Sequence, residues 1–196
     1  PEAYFMILNP TGEKVVSQVQ INTENPGSSL TRAISVTELS NGNLAFSWQR
    51  NDNSSIATRI FTMTGTPVTQ EVLVNSGYNA YRSFVSANSN GTYMVCYDYY
   101  AHTETPATFY GKYSIFGNDG TPAVSGTVYT STSELSTVNL LTLSNGNFAA
   151  IAGRWGSAQT VYLFNAAGVA QGSYTISSGT PGWLAQLNAS DKNGFV

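Results

Sequence analysis

Large apolar and smaller or polar residues alternate with a period of two along much of the chain. After one turn the apolar positions are Leu44, Phe46 and Trp48, and the same alternation returns over 93–97 and 148–152. Successive side chains of a β-strand point to opposite faces of its sheet, so this pattern predicts short strands. No segment keeps the 3.6-residue period of an amphipathic helix, and we expect an all-β chain with almost no helix.

Two interleaved series of glycines divide these strands into repeat units of about 50 residues. An Asn-Gly pair predicts a two-residue type I′ hairpin turn, and the second series, in which polar residues precede the glycine, also indicates hairpin turns. The Asn-Gly pairs lie at 41–42, 90–91, 145–146 and 193–194, and the second series is Gly12, Gly65, Gly120 and Gly168.

Each complete unit therefore contains four strands, a to d, with tight turns between a and b and between c and d. Four antiparallel strands per unit are typical of a β-propeller blade; another stacked β-repeat, such as a solenoid, or a sandwich is the alternative. We predict one domain over 1–196, with units at 4–23 (strands c and d), 30–76, 79–132, 135–178 and 183–196 (strand a). The incomplete outer units favour a segment of a longer propeller over an imperfectly closed four-bladed ring.

Composition narrows the function classes. Charged residues make up only 10% of the chain, the net charge is −3, and the 8 Lys and Arg residues are scattered. A nucleic-acid partner is disfavoured because no basic stripe is present. Membrane insertion is disfavoured because no apolar run reaches the length of a spanning helix. The single cysteine, Cys96, lies between large apolar residues and is expected to be a buried core thiol.

Residues 36–76 contain a set of structural motifs. It consists of Asn41-Gly42, Trp48-Gln49, Gly65-Thr66-Pro67-Val68 and Val74-Asn75-Ser76, and the other units keep it only in part. Through these motifs the chain resembles the propeller-type repeats of very large secreted and cell-surface proteins of bacteria and some protists. The resemblance implies an extracellular display or adhesion role and brings no catalytic residues with it.

The best candidate binding site follows from the predicted topology. Loops b–c and d–a emerge at one end of the units, and the longest b–c loop, 98–108, lies next to the d–a loop at 77–82. Exposed tyrosines with a few polar groups suit stacking on sugar rings or gripping a peptide; packing between units is the alternative explanation. The candidate residues are Tyr78, Tyr81, Arg82, Asp98, Tyr99, Tyr100, His102 and Glu104, with Trp155 at the same end.

Catalytic and metal-binding motifs are missing from the sequence. It contains no glycine-rich phosphate loop, His-Glu-x-x-His or Gly-x-Ser-x-Gly motif, so we predict no enzyme activity, cofactor or metal, although a calcium site at 50–55 stays open. Possible N-glycosylation sequons lie at Asn53, Asn90 and Asn188.

We therefore expect a non-catalytic extracellular module that binds other protein chains or further copies of itself. A carbohydrate-binding, lectin-like propeller is the alternative, and a propeller-fold hydrolase or lyase is less favoured.

Overall fold

The computed structural model describes residues 2–23, 32–50, 55–75, 79–132, 137–153, 158–176, 189–190 and 194–195. All regular secondary structure within these ranges is β-strand, which confirms the all-β prediction. Accordingly, none of the described residues belongs to a helix long and apolar enough to span a membrane. The strands are β1 (Tyr4–Leu8), β2 (Lys14–Gln20), β3 (Arg32–Glu38), β4 (Leu44–Gln49), β5 (Ile56–Phe61), β6 (Val72–Leu73), β7 (Ala80–Ala87), β8 (Thr92–Ala101), β9 (Thr108–Gly117), β10 (Pro122–Ser131), β11 (Thr137–Thr142), β12 (Phe148–Gly153), β13 (Gln159–Phe164), β14 (Ala170–Ile176), β15 (Ala189–Ser190) and β16 (Gly194–Phe195).

Consecutive strands pair antiparallel to form separate sheets. Sheet 1 contains β1 and β2, and sheets 2, 3 and 4 contain β3–β6, β7–β10 and β11–β14, each with its four strands in chain order. Strands β15 and β16 form a further pair. The strands of each sheet come from one stretch of chain, and within the described residues no sheet closes a ring by pairing with another.

The turns differ from the predicted type I′. In the turn after β3, Gly42 N–H donates to the Leu39 carbonyl at 2.9 Å and Leu39 N–H donates to the Asn43 carbonyl at 2.8 Å. Only the glycine has a positive φ, at 79°, whereas a type I′ turn would also need one at Asn41. The connection is therefore a three-residue loop that joins a type I turn to a glycine bulge.

The same turn occurs in both glycine series, which explains why a glycine recurs at each of the two landmark positions of the repeat. Seven of the eight landmark glycines have φ between 79° and 87°, and the eighth, Gly194, is the first residue of β16. Where the first turn residue is asparagine, as at Asn165, its side chain accepts the N–H groups of Ala167 and Val169. Where it is leucine, the third residue does so instead, as when Asn145 Oδ1 accepts the Asn147 N–H at 3.0 Å.

The sheets stack face to face in chain order, so the central strands are buried on both faces. In β4, Phe46 and Trp48 pack against Phe5 of sheet 1. In β8, Tyr93 and Val95 pack against sheet 2, whereas the intervening Met94 and Cys96 pack against Phe148 and Ala150 of sheet 4. The period-two alternation is confirmed, but it separates two buried faces rather than a buried face from an exposed one. Cys96 is fully buried, as predicted, and burial raises the pKa of its thiol.

Neighbouring sheets touch along their inner and their outer strands. On the inner side, β3 lies beside β7 and the Val85 N–H donates to Ser35 Oγ at 3.2 Å. On the outer side, a Cβ placed on Gly65 would lie 2.9 Å from methyl groups of Val16 and Val19 in sheet 1. Such a distance is shorter than ordinary van der Waals contact, so the turn fits only because the residue is glycine.

These contacts predict unequal costs for two chemically identical substitutions. Gly42→Ala meets no atom within 4 Å, so we expect only the cost of placing alanine at positive φ, about 1–2 kcal/mol. Gly65→Ala adds an overlap with sheet 1, which typically costs a further ~1–3 kcal/mol. Urea unfolding followed by circular dichroism measures both free energies, and equal costs would show that the outer contact between sheets 1 and 2 is absent.

Buried tyrosines predict a loss of stability in alkali. Burial raises the pKa of Tyr93 to about 12, and burial likewise raises the pKa of Tyr97 to about 12. In the unfolded chain these phenols lose their protons near the ordinary tyrosine pKa of about 10. The free energy of unfolding therefore falls between about pH 10 and 12, and these two groups do not change it below about pH 10. Tyr93→Phe should make that fall shallower, as measured by urea unfolding at several pH values, whereas Tyr174→Phe at an exposed position should not.

Candidate functional site

The predicted long loop at 98–108 is largely strand. Strands β8 and β9 have 10 residues each, whereas β4, β5, β12 and β13 have 6. Asp98 pairs with Gly111, and the ladder then continues from Tyr99 and Tyr110 to Ala101 and Thr108. We call residues 99–110 the extension. It has three pairs beyond those of the described ladders β4–β5 and β12–β13, a length of roughly 10 Å.

Adjacent tyrosines of the extension lie on opposite faces of sheet 3. Tyr99 packs beside the hydrophobic cluster between sheets 2 and 3. Tyr100 is four residues after Cys96 on the same strand, so it lies on the face that Cys96 directs towards sheet 4. The sequence analysis expects the candidate residues at one rim. At that end of sheet 3, Tyr99 and Tyr100 point to opposite faces because side chains alternate along a strand.

A tyrosine pair with a lysine occupies the face directed towards sheet 2. The rings of Tyr99 and Tyr110 lie 6.1 Å apart, and Lys112 Nζ lies 5.0 Å and 4.8 Å from their respective centres. The Tyr110 hydroxyl donates to the carboxylate of Glu104 at 2.9 Å, and this hydrogen bond raises the pKa of Tyr110. One small surface therefore offers two half-buried rings, an ammonium group and a carboxylate.

The opposite face carries a stacked aromatic pair. The rings of Tyr100 and Phe109 are 4.3 Å apart and nearly parallel, and the ring of His102 lies 6.1 Å from Tyr100. His102 Nδ1 is 2.7 Å from the side-chain amide of Asn79. A backbone hydrogen bond joins the same two segments, since the Tyr100 N–H donates to the Asn79 carbonyl at 3.0 Å. The loop is thus tied to the start of β7.

Strand β7 brings two more candidate residues to the base of the extension. Tyr81, which is exposed, pairs with the buried Asp98, and the register then slips before Ser83. Arg82 occupies this bulge with φ at 40°, an uncommon conformation for a residue other than glycine. Ala33 has a φ of 51° at the equivalent place in β3, so the bulge is shared with sheet 2, whereas β11 pairs with β12 without a register shift.

Several predicted positions lie outside the described residues: Tyr78, Trp155, Asn53 and Asn188. Asn90 is described and exposed, in the turn between β7 and β8. Sequence reasoning missed Asn79, Phe109, Tyr110 and Lys112. The alternation of residues 108–112 is the signal for Phe109, Tyr110 and Lys112, because it indicates a strand that pairs with the tyrosine run.

The arrangement suits recognition by ring faces and a few polar groups. Aromatic rings provide a large contact area with little loss of side-chain entropy, and the neighbouring Lys112 and Glu104 can orient a ligand that has hydroxyl or charged groups. Among the described residues, no three His, Cys, Asp or Glu side chains lie close enough together to hold a metal ion.

Comparisons with known proteins place the fold alone. No protein-family model matches the chain, and no curated protein matches it. Among solved structures it is similar to a protein of unknown function from Bacteroides caccae, with a TM-score of 0.60 and 14% sequence identity. The match covers 98% of this chain and 60% of that one, so this chain spans well under two thirds of its structural neighbour.

The Glu104–Tyr110 contact predicts a measurable pKa change. Glu104→Gln removes the negative charge that opposes loss of the phenol proton, so the pKa of Tyr110 should fall towards its ordinary value. Carbon-13 NMR of labelled tyrosine rings, titrated from pH 8 to 12, reports this value. Glu13→Gln, whose carboxylate contacts Asn9 in another turn, is the control and should leave Tyr110 unchanged; an unchanged pKa in Glu104→Gln would show that the contact does not form in solution.

Proposed function

We propose that the chain is a non-catalytic binding module of an extracellular protein, arranged as a segment of a β-propeller, and that the extension is its binding element. Three features support the propeller arrangement. The sheets stack in chain order, the first strands β3, β7 and β11 lie side by side, and the fourth strand β14 is fully exposed along the outside.

One observation supports the extension as the binding element. The units differ most where sheet 3 continues past its neighbours, and there both faces bear aromatic pairs that are only half buried. Elsewhere in β8 the large side chains are enclosed by sheets 2 and 4. The three additional strand pairs, which bear half-buried rings, have no counterpart among the described strands of sheets 2 and 4, so the stacking of those strands does not require them.

A carbohydrate ligand is the second candidate, and the geometry of the rings favours it. Sugar rings stack on tyrosine faces, and the Tyr99–Tyr110 pair combines such faces with one ammonium and one carboxylate. The primary proposal, adhesion to another protein chain, uses the same aromatic groups as interface anchors. Low charge and a surface rich in Ser, Thr and Asn suit either role outside the cell.

Ligand screening on both classes tests the proposal. We expect the protein to bind either a glycan on an array or a protein on an intact cell surface, with an affinity that Tyr99→Ala together with Tyr110→Ala weakens about tenfold or more, equivalent to about 1.4 kcal/mol. Tyr174→Ala, which removes a ring that is 65% exposed in β14, is the matched control and should not change binding. Equal binding by the double variant and the control would exclude this face of the extension as the binding element.

A further inference from the structure

Lys112 departs from the pattern of the repeat in which it lies. It is eight residues before the landmark Gly120, and the same position of the repeat is Ala57 in sheet 2 and Thr160 in sheet 4. A small uncharged residue therefore suffices at this position in both neighbouring sheets. The packing of sheets does not explain why sheet 3 has a lysine there, on the face that also carries the tyrosine pair of the extension.

The ammonium group of Lys112 lies against two aromatic rings but is not neutralised by a carboxylate. Its Nζ is 5.0 Å from the centre of the Tyr99 ring and 4.8 Å from that of Tyr110, a distance at which ring faces attract a cation. Among the described residues, no carboxylate pairs with this ammonium and no acceptor forms a hydrogen bond with it. Arg50, by contrast, forms an ion pair with Glu71 at 3.0 Å. The rings thus hold a positive charge that a ligand can use.

Glu104 does not cancel this charge. The Tyr110 hydroxyl donates to its two carboxylate oxygens at 3.0 and 2.9 Å, so the carboxylate lies at the hydroxyl end of the ring. Lys112 lies over the ring itself and beyond ion-pair distance of Glu104. A group that contacts the faces of the two rings is therefore next to the ammonium, and the negative charge stands at the edge of this surface.

We propose that the Tyr99–Tyr110 face of the extension binds an acidic sugar, whose ring packs against a tyrosine and whose carboxylate pairs with the Lys112 ammonium. This inference rests on the proposed function and specifies its carbohydrate ligand. Uronic and sialic acids both carry the carboxylate directly on the sugar ring, so stacking of that ring brings the negative charge to Nζ. The Glu104 carboxylate accepts hydrogen bonds from sugar hydroxyl groups. An acidic peptide fits less well, because its carboxylates stand on flexible side chains that offer no ring to stack.

Ligands that differ only in the charge of the carboxylate test the proposal on the unaltered protein. Isothermal titration calorimetry compares trigalacturonate and sialyllactose, each with its own methyl ester. We expect at least one acid to bind about tenfold or more tightly than its ester, and the pair that shows this difference identifies the sugar class. Raising NaCl from about 20 to about 500 mM should weaken binding of the acid, because salt screens exposed charges. Equal affinities of acid and ester, or binding of neither acid, would overturn the proposal.

Substitution of Lys112 tests whether its charge causes the preference. Lys112→Gln keeps most of the side-chain length and should abolish the preference for acid over ester, whereas Lys112→Arg should retain it. Lys14→Gln removes the same charge at an exposed position of β2 and is the matched control, which should bind as the unaltered chain does. A preference that survives in Lys112→Gln would overturn the proposal, and so would equally tight binding of a hexaglutamate peptide, which has no sugar ring. If Lys112→Gln does not fold, as judged by circular dichroism, the comparison of acid with ester decides alone.

The double variant of Tyr99→Ala with Tyr110→Ala separates this inference from the proposed function. If esters bind as tightly as acids and the double variant loses both, the ligand class is wrong but the extension is still the binding element. If acids are preferred and the double variant binds them unchanged, the extension is not the binding element and both proposals are wrong. A preference for acids that disappears with the two rings supports both.

Discussion

The fold depends on the burial of both faces of each central strand. A four-stranded sheet has apolar side chains on two sides, and one sheet cannot cover both by itself. In β8, Tyr93 and Val95 need sheet 2, and Met94 and Cys96 need sheet 4. Stacking is therefore what buries both faces of the central strands, and neighbouring units stabilise one another through many apolar contacts.

This dependence explains why the sequence predicts the architecture well and the turn chemistry less well. A positive φ is needed at one place in each hairpin that the landmark glycines mark, so the two series locate these turns, whereas the described connection between β8 and β9 contains no glycine. Both candidate turn types use glycine at this position, and the identity of the turn is decided by backbone hydrogen bonds such as Leu39 N–H to the Asn43 carbonyl. The difference between the two is a matter of one residue of register, which glycine spacing does not encode.

The sequence locates the candidate site but does not predict its shape. The tyrosine run and the longer third unit direct attention to 98–108, whose role as a site stays a prediction. Residues such as Tyr99 and Tyr100 suit a strand and an aromatic-rich loop equally well, and only the pairing with Tyr110 and Phe109 decides between them. Once the segment is a strand, alternation separates the two tyrosines to opposite faces, which no argument based on proximity in sequence could show.

The extension and the open end of the stack represent opposite departures from one rule. The extension has half-buried aromatic residues beyond the ends of the described strands of sheets 2 and 4, and its rings pair within their own sheet, as Tyr100 does with Phe109. The open end has ordinary repeat positions, Leu8 and Val36, whose usual neighbour is missing from the described residues. In the first case the sequence has changed and the surface is specific to one unit. In the second the sequence is that of the repeat, so Leu8 and Val36 keep the apolar character of positions that are buried in the other sheets.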